Sequence, residues 1–173
     1  TRFGDGNIIL GGQGSDIIMG RGGDDLIDDD LWLDVYISVR STLNPHVEIT
    51  RADSMTQLVD AMVAGVYNPG QLQIVRELVS SPTQDFDTAV FQGPLANYSF
   101  TVNGAAADVA QVIAATANDI IMVTDNVGVG IKGDGTDTLR HIERLQFSDQ
   151  ALVIDGLNRG PVGLLTISDT TPT

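Results

Sequence analysis

The sequence contains no cysteine, which excludes disulfides and thiolate zinc sites. Basic residues are scarce: 9 Lys+Arg stand against 23 Asp+Glu, for a formal charge of −14. A surface this acidic repels nucleic acid and anionic membranes, both of them polyanions, so neither is expected as a partner. Aromatic residues make up only 5% of the chain. No apolar run approaches the length of a membrane span, so membrane insertion is not expected. The chain opens at Thr1 with no basic-plus-apolar leader and in the middle of a repeat, which reads as a fragment of something longer. There are two histidines, His46 and His141. Nothing in their spacing selects a Ser-His-Asp set, and no haem-ligand signature accompanies them.

What is present points to a packed, turn-rich domain that needs cations. Hydrophobic residues make up 42% of 173 residues, enough for one domain or two small ones with a core. The 19 glycines favour tight backbone turns. Self-repulsion among the acidic groups opposes compaction until counter-cations arrive. Without disulfides, a metal ion is the available staple.

The chain divides by character into four stretches. Residues 1–37 are rich in glycine and aspartate. Residues 38–82 carry helical periodicity. Residues 83–157 read as short strands and turns, and 158–173 as a linker or the start of a neighbouring domain. In the second stretch, Ser54 and Gln57 fit a capping box, followed by Met55, Leu58, Val59, Met62 and Val63 on one helical face and a stop at Gly65. Asn68-Pro69 opens a second helix with Leu72, Val75, Leu78 and Val79 as its stripe, ended by Ser81-Pro82. Residues 38–50 read as a strand and a loop. In the third stretch, residues 88–91, 98–102 and 120–123 are β-branched or aromatic, and Asn103-Gly104 and Gly133-Asp134-Gly135 mark turns.

The strongest signal lies in residues 11–28. Gly11-Gly12-Gln13-Gly14-Ser15-Asp16-Ile17-Ile18-Met19 is followed by Gly20-Arg21-Gly22-Gly23-Asp24-Asp25-Leu26-Ile27-Asp28. Both fit G-G-x-G-x-D-x-U-x, with Arg21 replacing the second glycine. Glycines allow positive φ, so that carbonyls can turn towards an ion. Asp supplies the hard oxygen that calcium prefers. The x-U-x portion is a short strand whose middle residue enters the core. One nonapeptide then makes a turn and a strand, and two make one 18-residue coil, so an ion is expected to bridge positions 18 residues apart. The register pairs Asn7 with Asp25, and Asp16 with Asp34. Ile9 and Tyr36 are the matching core positions. Expected ligands are Asp16 and Asp25 first, then Asn7 and Asp34, with backbone oxygens from Gly11, Gly12, Gly14 and Gly23. Trp32 at a glycine position sets the Asp34 repeat apart from the pattern. Asp28, Asp29 or Asp30 can instead serve a less regular terminal site, or form a solvated acidic turn.

Gly133-Asp134-Gly135-Thr136-Asp137-Thr138-Leu139 has two readings. It is a decayed repeat with Asp137 as ligand, or an ordinary hairpin turn. The broken register around it favours the turn.

The nonapeptides resemble the hemolysin-type, or RTX, calcium-binding repeat. Residues 87–98 and 134–149 resemble a segment found in very large secreted bacterial RTX proteins, some of which carry an animal-type haem peroxidase domain upstream. The resemblance implies calcium as the cofactor, type I secretion, an extracellular location and folding that waits for calcium. It also implies neighbouring domains of a longer chain as partners. The expected fold class is α+β: an N-terminal parallel β-roll packed on a helical pair, then a β-rich part. The expected function is a non-catalytic calcium-binding folding module. The alternatives are an adhesion or partner-binding module, or a non-catalytic part of a secreted peroxidase.

Overall fold

The computed structural model describes residues 5–81, 85–116, 119–127 and 133–154. Among them lie thirteen strands in three sheets and two α-helices of five residues each. The expected β-roll packed on a helical pair is therefore not the architecture; the described chain is dominated by mixed and antiparallel sheets. No helix among the described residues is long and apolar enough to cross a membrane.

The chain forms two compact units: residues 1–9, 14–29 and 85–173 make the first, and residues 10–13 and 30–84 the second. The expected boundary at residue 37 falls inside a strand, β4 (Leu31–Arg40).

In the first unit, strands from the glycine-rich start pair with strands from far along the chain. β1 (Ile8–Leu10) neighbours β3 (Leu26–Asp28), which runs parallel to β11 (Thr136–Arg140), Leu26 facing Thr138 and Ile27 facing Leu139. β10 (Ile121–Asp125), β8 (Tyr98–Val102) and β9 (Ala105–Ala107) extend this sheet with antiparallel pairing. The second sheet places β2 (Ile17–Ile18) parallel to β7 (Thr88–Val90), and β7 parallel to β12 (Arg144–Gln146). β13 (Ala151–Val153) closes it. Parallel neighbours require long crossovers, which is why these partners are remote in sequence.

Side-chain alternation builds the core from both sheets. Ile27, Leu139 and Ile121 form one buried row across three strands, and Ile18, Ala89, Leu145 and Leu152 another. Phe91 stacks on Phe147 at 5.1 Å between centroids, and Tyr98 and Phe100 complete the aromatic cluster. Four of the nine aromatic residues thus meet in one place. Asn103 and Gly104, with φ of 52° and 80°, make the tight turn between β8 and β9. Positive φ at both positions is what such a two-residue hairpin turn demands. The short helix Val109–Ile113 (α2) is capped by Asp108, whose Oδ1 accepts from the Gln111 amide.

The second unit is the three-stranded antiparallel sheet of β5 (Glu48–Ala52), β4 and β6 (Leu72–Ser80). The first expected helix shrinks to a 3-10 turn (Met55–Gln57) and a five-residue helix, α1 (Val59–Val63), with Leu58 and Met62 covering Val39. The second expected helix is a strand. The Asn68 signal is real, since its amide donates to Gln71 Oε1 at 3.0 Å, but it caps only one 3-10 turn (Pro69–Gln71). Leu72, Val75, Leu78 and Val79 suit a helical stripe, yet Ile74, Val75 and Val79 are β-branched and stiff at χ1. Nine cross-strand pairs with β4, from Leu31↔Ser80 to Val39↔Leu72, override the local preference.

Candidate metal centre

Three of the positions that the repeat marks, Asn7, Asp16 and Asp25, are tied to the next strand by one recurring pair of bonds. The Asn7 amide donates to Asp25 Oδ1 at 2.7 Å, and the Leu26 amide to the Asn7 carbonyl at 2.8 Å. One strand on, the Asp25 amide donates to Asp137 Oδ1 at 3.1 Å, and the Thr138 amide to the Asp25 carbonyl at 2.7 Å. In the other sheet the Asp16 amide donates to Asp87 Oδ1 at 2.7 Å, and the Thr88 amide to the Asp16 carbonyl at 2.9 Å. The Asp87 amide then donates to Glu143 Oε2 at 2.7 Å. Two columns result: Asn7, Asp25, Asp137 and Asp16, Asp87, Glu143.

Of the two pairs expected to share an ion, Asn7 and Asp25 are therefore neighbours, whereas Asp16 and Asp34 are not brought together. Asp34 lies on β4 in the second unit, facing Glu77. Residues 30–84 are an insertion, and the position stacked on Asp16 is Asp87, 71 residues on. Asp137 lies beside Asp25 on β11, and residues 133–135 lead into that strand, which pairs antiparallel with β10 on one side, as the turn reading expects, and parallel with β3 on the other.

The turns use the backbone freedom that the motif supplies. Gly12, Gly14 and Gly23 have φ of 98°, 99° and 121°, and Arg21 takes 71° in place of a glycine. The Gly14 amide donates to Asp85 Oδ2 at 2.8 Å, and Phe86 donates to Ser15 Oγ at 3.0 Å. Gly11 and Gly12 fall in the second unit, where Gly12 approaches the Trp32 side chain. A Cβ on Gly23 would lie 2.8 Å from the Asp5 backbone.

The carboxylates of Asp16, Asp29 and Asp87 each bring an oxygen within 4.8 Å of the others. Asp29 and Asp87 are almost completely buried, at 0% and 1% exposure. Asp16 Oδ2 is enclosed and meets no hydrogen-bond donor. Two like unit charges this close repel by on the order of 3 kcal/mol at an effective dielectric of about 20. A divalent cation reverses the sign of that interaction. The donor set is all oxygen and anionic, which suits a hard cation such as calcium or magnesium. Asp25 is also buried, its Oδ2 has no donor, and that oxygen sits where a Cβ on Gly20 would come within 2.2 Å.

The remaining acidic positions have distinct surroundings. Burial pushes the Asp137 carboxyl up to about 7, opposed by the Asp25 amide it accepts from and reinforced by the charges of Asp25, Asp134 and Asp24. Asp28 meets His141, with Nδ1 2.8 Å from Oδ1. His141 takes φ of 53° at the end of β11. Asp134 accepts from the Gln92 amide, Gln92 Nε2 and the Tyr98 hydroxyl. Burial, then that hydrogen bond, pushes the Tyr98 phenol far up.

Asp87 and Glu143 were not picked out as ligand positions from the sequence. A signal for them exists at shorter range than the nonapeptide: an acidic residue, any residue, then a buried apolar one. Asp16 leads to Ile18, Asp25 to Ile27, Asp87 to Ala89, Asp137 to Leu139 and Glu143 to Leu145, all five apolar residues lying in the core. Comparison with protein-family models, curated proteins and solved structures finds no match for the chain.

Proposed function

We propose that this chain is a calcium-binding structural module of a secreted bacterial protein, with no catalytic role of its own. The observation that carries the reading is the convergence of the half-buried Asp16 and the buried Asp29 and Asp87 within 4.8 Å. The tandem nonapeptides at residues 11–28 support calcium in particular, because they resemble the RTX repeat. Calcium accepts irregular shells of six to eight oxygens, so carboxylates and turn carbonyls suffice. Binding neutralises carboxylates that repel one another and thereby stabilises the folded state.

Calorimetric titration with calcium, paired with thermal melting in calcium and in chelator, tests this. Binding and a higher melting temperature in calcium are the expected results. A chain that binds no calcium and melts identically in chelator sinks the proposal.

A second reading, a partner-binding module, has its own support. Leu33 and Val35 on β4 and Ile74 and Leu78 on β6 are exposed on one face of the three-stranded sheet, Leu33 directly opposite Leu78. Exposed aliphatic patches of this kind mark interaction surfaces. Binding assays on the calcium-loaded chain separate the two.

A further inference from the structure

Residues 30–84 interrupt the first unit, which the chain leaves after Asp29 and rejoins at Asp85. The rejoining segment docks on a small edge. β2 has two residues and lies at the margin of its sheet. Beside the β2–β7 pairing, the contact is held by bonds from the Gly14 amide to Asp85 Oδ2 at 2.8 Å, the Phe86 amide to Ser15 Oγ at 3.0 Å, the Asp16 amide to Asp87 Oδ1 at 2.7 Å and the Thr88 amide to the Asp16 carbonyl at 2.9 Å. The three clustered carboxylates come from the three parts of this junction. Asp16 belongs to the edge turn, Asp29 to the point of departure and Asp87 to the point of return.

We infer that the cation acts as a clasp across the insertion, joining Asp29 to Asp87 and both to Asp16, so that cation loading decides whether residues 85–88 stay docked on β2. The inference rests on the cation reading above and adds a regulatory role to that same site. Three features support it. Asp16 Oδ2 is enclosed without a donor. The two buried carboxylates are 58 positions apart in the chain, so holding them together costs loop-closure entropy that a shared ligand offsets. With no cation present, the same three carboxylates repel and act to open the junction that these bonds close. Calcium would then convert a weakly held edge into a closed one, while the core rows of Ile27, Leu139 and Ile121 persist in either state.

The test is amide hydrogen exchange of the full chain, read by mass spectrometry, in millimolar calcium and in excess chelator, with calcium binding measured in parallel. Amides of residues 14–17 and 85–88 are expected to exchange rapidly in chelator. At calcium about ten times its dissociation constant, opening of the junction and hence their exchange should slow about ten-fold. Asp29→Asn should abolish that slowing, whereas Asp25→Asn should leave it in place. If Asp29→Asn fails to fold, the wild-type exchange map decides alone. Calcium bound with unchanged exchange at residues 14–17 and 85–88 overturns the clasp but leaves the calcium module standing. Absence of calcium binding overturns both.

Discussion

The Asp16 amide donates to Asp87 Oδ1 at 2.7 Å across 71 residues of sequence. The same geometry, amide to carboxylate and amide to carbonyl, joins Asn7 to Asp25 and Asp25 to Asp137. A side chain that elsewhere would compete with the backbone here extends the ladder between parallel strands. Each such carboxylate commits one oxygen to an amide, and the second oxygen of Asp25 meets no donor.

Asp87→Asn separates charge from hydrogen bonding at the cluster. The amide oxygen still accepts from Asp16, while one of three converging charges is gone. In chelator the variant is expected to melt at the same temperature as wild type or higher. In calcium it should lose most of the wild-type gain. Differential scanning calorimetry under both conditions reads the crossing, and a variant that loses stability equally in both shows that the charge is not a cation ligand.

Asp137 makes stability depend on pH in the absence of divalent ions. Its carboxyl is raised to about 7 in the fold, above the ordinary carboxylate value. The folded state therefore binds the proton more tightly than the unfolded state. This contribution favours folding at low pH, weakens as pH rises from about 4 and is lost above about 7. Urea midpoints across that window should fall more steeply for wild type than for Asp137→Asn. Parallel pH profiles would rule the coupling out.

Gly135 and Gly104 share a positive φ, 82° and 80°, but differ in surroundings. A Cβ at 135 would sit 2.0 Å from the Gly23 carbonyl oxygen, whereas one at 104 meets nothing within 4 Å. Gly104→Ala should cost about 1 kcal/mol, from backbone strain alone. Gly135→Ala should cost more, roughly 3 kcal/mol or above in total, because two backbones must separate. Chemical denaturation of both variants tests the difference, and equal costs would show that Gly23 and Gly135 do not approach this closely.

Ile17 and Ile18 are adjacent and chemically identical, with exposures of 79% and 9%. Ile18→Ala should cost roughly 2–4 kcal/mol through a core cavity. Ile17→Ala should stay within about 0.5 kcal/mol. The reverse order would mean that β2 is shifted by one residue, which turns every side chain to the other face.

The nonapeptides were legible because their chemistry is local. Glycines at positive-φ sites, an acidic position and a single inward apolar residue all follow from spacing, and Ile18 and Ile27 entered the core as that spacing required. The Asn7–Asp25 pair followed as well, since no chain intervenes to break the 18-residue period. The segments at residues 88–91, 98–102 and 120–123 contain β7, β8 and most of β10, because β-branched and aromatic residues favour an extended backbone there. The second helix was misread because residues 72–79 satisfy a helical stripe and a strand about equally well. The tie was broken by β4, whose nine pairs lie up to 49 positions away in the sequence.

Residue spacing settled the turn chemistry, the acidic charge and the inward-facing positions of single repeats, all properties of a few adjacent residues. Which acid meets which was decided by folding alone. A 55-residue insertion displaced Asp34 and put Asp87 on Asp16, and parallel pairing carried Asp137 to Asp25. Parallel strands need crossovers of no fixed length, so the period that governs neighbouring repeats carries no information about partners beyond an insertion.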